Sequence, residues 1–84
     1  MKIPKKEVLA IIKKYPEIKK INHFNSTPVG YQYQISFTIF VDGNLSTYLS
    51  HAIADKLEKE ITGTFDDIYL TVIHVNPIDI SKES

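Results

Sequence analysis

The 84-residue chain contains no cysteine, no arginine and only three glycines, and each absence excludes a kind of site. Without cysteine there is no thiolate metal site, no cysteine nucleophile and no iron–sulfur cluster. Three isolated glycines cannot form a glycine-rich phosphate-binding loop, and no serine stands in a glycine-flanked tight turn as a hydrolase nucleophile does. We therefore predict that the protein is not an enzyme and has neither catalytic nor organic-cofactor-binding residues.

Long apolar runs are also missing. The longest extends from Ile35 to Val41 and is interrupted by Ser36 and Thr38, whereas a membrane helix needs about 20 apolar residues. The N-terminus lacks the sustained apolar segment of a signal peptide. We therefore predict that this chain does not itself insert into a membrane, and its lack of cysteine is typical of a reducing compartment.

The charge of the chain sums to zero but is unevenly spread. Residues 1–20 carry seven lysines against two glutamates, and residues 21–84 carry three lysines against eight acids. Because arginine is the usual residue for bidentate phosphate and base-edge contacts, its absence argues against a nucleic-acid partner. The basic block is interpreted as the solvated face of a helix, and it would suit the cytoplasmic side of a membrane protein.

Apolar periodicity predicts five elements in the order helix, strand, strand, helix, strand. Residues 31–41 alternate apolar and polar side chains and give the clearest strand. Ser46 or Asn44 is expected to cap the second helix, and Gly63 is expected to end it. The predicted elements are helices over residues 4–15 and 45–64, and strands over residues 18–24, 31–41 and 67–75.

This order predicts an α+β fold, namely a two-layer αββαβ sandwich with two helices on a three-stranded sheet. We expect one domain over residues 1–84, with an ordered core over residues 5–77 and a flexible tail over residues 78–84. So short a chain buries only about 60–65% of its unfolded surface, so a second copy would add burial. Homodimerisation is therefore predicted through apolar residues on open faces: Phe40, Tyr69, Ile73 and Val75.

The chain has three histidines, and imidazole is its best available ligand for a transition metal, with carboxylates second. His51 and Asp55 are spaced i,i+4 on one helix face, so one ion could reach both. His74 is expected where the last strand ends before Pro77, and His23 lies near the end of the first strand. Spacing alone leaves two interpretations open: a divalent-metal site, or surface histidines without a ligand.

Two longer motifs suggest a family. DGNLSTYLSHAIADKLEKEI resembles an acidic turn, then Leu-Ser, then a helix of pattern His-x-x-Ala-Asp-x-x-Glu, while IHVNP resembles a terminal Ile-His-x-Asp-Pro. YPEIKKI and the later Gly30 fit the same family's first strand and following glycine. Residues 5–77 therefore resemble the C-terminal cytoplasmic domain of the cation diffusion facilitator family of metal transporters.

This resemblance implies a ferredoxin-like, metallochaperone-like αββαβ domain that forms a V-shaped homodimer below the membrane. Metal sensing by the dimer would bring its arms together and couple that closure to transport by the membrane domain of the same protein. The alternative is a free-standing cytoplasmic homodimer that binds metal as a chaperone does. A third interpretation, an acylphosphatase-type enzyme, is disfavoured because that chemistry uses an arginine on the phosphate.

The resemblance also implies a ligand set for a divalent transition metal, zinc first, with iron or manganese as alternatives. His51 and His74 are in register with family ligands, and Asp55 or His23 would help. The chain departs from the zinc-type pattern at three positions, where it has Asn22, Thr38 and Asn76. We therefore expect a reduced site.

Overall fold

The computed structural model describes residues 5–78, which form two helices and three strands in the predicted order. Strand β2 lies in the centre of the sheet, antiparallel to β1 and parallel to β3. The predicted α+β class is confirmed, and residues 79–84 of the predicted tail lie outside the described range. The elements are α1 Lys5–Ile12, β1 Ile18–Val29, β2 Gln32–Asp42, α2 Thr47–Thr64 and β3 Ile68–Ile78.

The core lies between the two helices and one face of the sheet. Strand β2 supplies its centre through the alternate residues Ile35, Phe37, Ile39 and Val41, all of them buried. Phe37 is 0% exposed, and its ring stacks on that of Phe24 from β1 at a centroid separation of 6.0 Å. The helices contribute Val8, Ile11 and Ile12 from α1, and Leu57 and Ile61 from α2.

Helix α1 is shorter than predicted, because it ends at Ile12 and the chain continues in a tighter turn. The backbone amides of Lys14 and Tyr15 donate to carbonyls three residues back, a pattern typical of a tightening helix end. The Tyr15 hydroxyl then donates to the Glu60 carboxylate on α2 at 2.6 Å. Partial burial, followed by this hydrogen bond, raises the pKa of Tyr15 to about 12, so the hydroxyl stays protonated as a donor to a higher pH than an ordinary tyrosine does.

Helix α2 has the predicted cap and ends at Thr64, the last residue of its predicted range. The Ser46 side chain accepts a hydrogen bond from the backbone amide of Leu49 at 3.0 Å, as an N-cap does. Contrary to the prediction, Gly63 does not end the helix in a left-handed conformation: the helix passes through Gly63 to Thr64, and the Phe65 amide donates to the Ile61 carbonyl. Burial of Ile61 on the core keeps this last turn helical.

Loss of this cap should have a small, measurable effect. We expect Ser46→Ala to lower the free energy of unfolding by about 1 kcal/mol, because one amide at the start of α2 loses its acceptor. Urea denaturation followed by circular dichroism measures the change. Ser46→Asp, which restores an acceptor, should recover the stability of the wild type, and a loss that Asp does not recover would mean that Ser46 acts otherwise.

Strand β3 contains a register shift that the sequence does not reveal. Ile68 lies opposite Tyr33, but Leu70 lies opposite the next residue of β2, so Tyr69 is an extra residue on β3. Such a bulge changes the face on which the preceding residue lies. Ile68 is therefore buried under the helices rather than sharing a face with Leu70.

This shift also corrects the predicted open face. Ile73 and Val75 lie opposite Phe37 and Ile39 in the sheet and pack against the core, so they are not open-face residues. The strand also continues through Pro77, which lies opposite Val41, instead of ending before it. Proline is tolerated there because β3 is an edge strand and its missing amide interrupts no ladder on the outer side.

Candidate metal centre

The sheet face opposite the helices, called here the open face, carries three rows of side chains. The central row belongs to β2 and consists of the residues that alternate with its buried core residues. Phe40, Leu70 and Val72 on this face are only half-buried. The open face consists of Lys20, Asn22, Asn25 and Thr27 from β1, Gln34, Ser36, Thr38 and Phe40 from β2, and Leu70, Val72, His74 and Asn76 from β3.

One cross-strand line of the open face includes a predicted metal ligand. Asn22, Thr38 and His74 lie opposite one another across the three strands, and neighbouring strands are about 4.8 Å apart. Thr38 is buried at 6% exposure, whereas Asn22 and His74 are exposed. The line therefore offers one imidazole, one amide and one hydroxyl, of which only the imidazole is a preferred transition-metal ligand.

His51 lies on the other side of β3. Its side chain is exposed on α2 and lines a cavity of about 370 Å³ that Val75 and Pro77 of β3 also line. Val75 packs towards the helices, and successive strand residues point to opposite faces. His51 and His74 are therefore on different sides of the same strand within one copy of the protein.

The same cavity is lined by a carboxylate that is not among the predicted metal ligands. Asp42 lines it together with His51. Its Oδ1 accepts a hydrogen bond from the backbone amide of Asn44 at 2.9 Å, which fixes the turn before α2. The signal available in the sequence was an acidic residue at the end of a strand, separated by two residues from the Leu-Ser of the helix motif.

The two predicted auxiliary ligands, Asp55 and His23, lie in different parts of the structure. Asp55 follows His51 by one helical turn, as predicted, but its carboxylate lies 3.1 Å from the Lys59 ammonium. His23 lies in a β1 bulge, because the sheet register shifts between Asn22 and Asn25. Its φ of 58° is in the left-handed region, which few residues other than glycine adopt. The exposed His23 thus occupies a local irregularity of an edge strand.

One copy of the protein does not gather these ligands. Among residues 5–78, no group of three or more histidine, aspartate or glutamate side chains is placed to hold a metal ion. Within residues 5–78 of one copy, the donor set therefore does not form a multidentate metal site. Metal binding stays a prediction for the four candidate ligands, His51, His74, His23 and Asp55.

Comparisons with known proteins identify the family. A family model described as the cytoplasmic domain of cation efflux proteins matches residues 2–78. The chain belongs to this family of transporter domains, which is not an enzyme family. The comparison with curated proteins gives no match.

Solved structures agree with that assignment. The chain is similar to the cytosolic domain of a cation diffusion facilitator family protein, with 30% identity and a TM-score of 0.83 over 88% of each chain. It is also similar to the metal-bound C-terminal domain of the CzcD transporter from Thermotoga maritima, with 30% identity and a TM-score of 0.82 over 92% of this chain and 94% of that one.

A more distant structure has the same fold. A cadmium form of a MamM CTD variant is 15% identical, with a TM-score of 0.79 over 89% of this chain and 93% of that one. The resemblance predicted from the DGNLS and IHVNP motifs is thereby confirmed at the level of the family. No helix within residues 5–78 is both long and apolar enough to cross a membrane.

Proposed function

We propose that this chain is the regulatory and dimerisation domain of a divalent metal cation efflux transporter. In this proposal a metal ion is shared between two copies, and the resulting closure of the dimer is coupled to transport by the membrane domain. One observation carries the proposal: residues 5–78 of one copy do not place three histidine, aspartate or glutamate side chains around an ion. A second copy would supply the further ligands, so metal binding and association would be linked, as a metal-sensing role requires.

The open face is the proposed surface of association. Phe40, Leu70 and Val72 leave apolar area on it, and the helices pack on the opposite face. Its charged side chain, Lys20, places its ammonium 5.4 Å from the centroid of the Phe40 ring, so the lysine stem covers apolar surface. A second copy seated on this face would remove the apolar area from water and gain the burial that so small a domain lacks.

His74 connects this surface to the metal. It lies on the open face next to Val72 along β3, so association through this face brings the His74 side chains of the two copies towards the same interface. His51 lies on the far side of the same strand, close to the end of the sheet. Shared ligation is proposed to use His51 and His74 first, with His23 or Asp55 as auxiliary ligands.

The chemistry of these donors sets the expected ion and affinity. Two neutral imidazoles per copy suit zinc, which takes four ligands, while iron and manganese are the alternatives. When bound, the dication supplies the electrostatic attraction that holds the shared ligands together. Few carboxylates contribute, and ligand charge accounts for much of the attraction for a dication. We therefore propose a modest affinity, because Asn76 stands where the family pattern has an aspartate.

Zinc titration of three histidine variants tests this proposal. Isothermal titration calorimetry and sedimentation equilibrium should both show that zinc binds the wild type and increases its dimer fraction. We expect His51→Ala and His74→Ala each to weaken zinc binding by about tenfold or more, because loss of even an outer-shell partner of a metal site typically costs about tenfold. His23→Ala tests the auxiliary role and should lose less affinity than either of these variants, because His23 lies in the β1 bulge.

The same titration can overturn the proposal. Wild-type binding by both His51→Ala and His74→Ala would show that the site is elsewhere or absent, and the histidines would then be surface residues without a ligand. Zinc binding that leaves the dimer fraction unchanged would separate metal binding from association and would contradict the shared site.

A further inference from the structure

Five exposed lysines lie on α1, on the turn that follows it and at the start of β1. This set, called here the lysine surface, comprises Lys5, Lys6, Lys13, Lys14 and Lys19. Residues 5–20, which also include Lys20 of the open face, have only Glu7 and Glu17 as acids and carry a net charge of +4. Residues 21–78 carry two lysines and six carboxylates, a net charge of −4. The described part of the domain is therefore strongly polarised although its net charge is zero.

The lysine surface is poorly neutralised by the protein itself. Lys14 approaches the Glu60 carboxylate only to 3.9 Å and keeps 68% of its side chain exposed. Lys5 lies 5.2 Å from the centroid of the Phe24 ring, and Lys19 donates to the Pro16 carbonyl at 3.1 Å. Neither contact removes a positive charge. Among the described residues, Lys6 and Lys13 have no carboxylate within ion-pair distance.

Some of the acids are too far away to cancel this charge. The first residue of β1, Ile18, lies opposite Val41, whereas Asp67 is held beside Tyr33 by a 2.8 Å backbone hydrogen bond. Tyr33 and Val41 are about 26 Å apart along β2, at about 3.3 Å per residue. The Debye length is about 10 Å at 0.1 M salt. A charged surface that contacts the start of β1 therefore lies well beyond one Debye length from the carboxylates of the α2–β3 turn. Those carboxylates do not cancel its attraction to the lysines.

We propose that the lysine surface docks on an anionic phospholipid bilayer. The inference rests on the proposed function in one respect, because it takes the chain to be a domain of a membrane transporter. Each lysine close to an anionic bilayer strengthens partition by about fivefold, so several lysines together give a measurable effect. A lipid surface fits better than nucleic acid, because lysine acts as a point charge while arginine, which this chain lacks, makes the bidentate contacts.

Vesicle flotation with the 84-residue chain tests this inference. Vesicles of phosphatidylcholine and phosphatidylglycerol in equal parts should bind the wild type at low salt, while pure phosphatidylcholine vesicles should not. High salt should release the protein. The double variant Lys6→Gln, Lys13→Gln should weaken partition by about tenfold or more. Neither lysine contacts a carboxylate within the described chain, so the fold should be unaffected.

The matched control removes the same number of positive charges from α2. The double variant Lys56→Gln, Lys59→Gln removes two lysines outside the lysine surface, and its partition should stay within about threefold of the wild type. Equal losses in the two double variants would overturn the proposal, because net charge alone would then explain binding. Absence of a preference for anionic vesicles, or binding of duplex DNA at salt that abolishes vesicle binding, would also overturn it.

Failure of this inference can be distinguished from failure of the proposed function. Lys6 and Lys13 lie outside the open face and the predicted metal ligands, so zinc-dependent dimerisation of the Lys6→Gln, Lys13→Gln variant should match the wild type. Loss of zinc-dependent dimerisation in the wild type with retained vesicle preference would contradict the proposed function alone. Intact dimerisation without vesicle preference would contradict the lysine-surface inference alone.

Discussion

Replacing Phe37 by alanine should lower the free energy of unfolding by about 3–5 kcal/mol, the usual cost of truncating a buried phenylalanine. Phe37 is 0% exposed at the centre of β2, and its ring stacks on Phe24, so truncation leaves a cavity between the sheet and the helices. Domains are stable by only about 5–15 kcal/mol, so most of the stability of the domain is at risk. Urea denaturation measures the loss.

Phe40→Ala is the matched control for this experiment. It truncates the same residue type on the same strand, but on the open face, where Phe40 is only half-buried and no helix packs. With chelator present and at low protein concentration, we expect this variant to lower the free energy of unfolding by about 1.5 kcal/mol or less. The loss is smaller because the Phe40 side chain buries less apolar surface on folding than Phe37 does. Equal losses for the two variants would contradict the assignment of β2 to one covered and one open face.

The fold class was predictable because the strongest signals are local. The alternation of β2 depends only on which of its own side chains meet the core, so the covered and open faces could be read directly. The extent of β1 was not predictable in this way, because residues 25–29 have the composition of a turn. They form a strand because β2 offers a partner to each of them, from Asn25 opposite Ser36 to Val29 opposite Gln32. The hairpin closes at Gly30, whose φ is 62°, as two-residue loops require.

The two bulges could not be predicted from the local sequence for the same reason. A bulge depends on how two strands pair, and neither the sequence around Tyr69 nor that around His23 specifies the pairing. The bulge at Tyr69 moves Ile68 to the buried face, and the bulge at His23 allows Phe24 to reach the core. Local patterns alone therefore assigned Ile73 and Val75 to the wrong face.

The candidate site was predictable in part. The i,i+4 spacing of His51 and Asp55 is a property of one helix and holds in the structure. The positions of His51 and His74 on two sides of β3 depend instead on how α2 packs on the sheet, which is a tertiary relation. The sequence could suggest candidate ligands, but only the structure shows that His51 and His74 lie on different sides of β3 within one copy.

Introducing a carboxylate at the centre of the apolar part of the open face should disrupt the proposed dimer. We expect Val72→Asp to weaken dimerisation by about 100-fold or more, because association would bury one unpaired charge from each copy. Val72 is half-buried in the single copy and lies beside Ser36, so the fold should tolerate the aspartate. Sedimentation equilibrium with and without zinc measures the change, and circular dichroism verifies folding.

Tyr69→Asp is the matched control, because it introduces the same charge three residues earlier on the same strand. Tyr69 is 54% exposed but belongs to the bulge rather than to the open face, so its substitution should leave the dimer intact. A folded Val72→Asp variant that dimerises as the wild type does would rule out the open face. Dissociation by Tyr69→Asp instead would place the interface at the outer side of β3. Because His74 lies two residues beyond Val72 on the same face, loss of the dimer should also reduce zinc binding to what one copy provides.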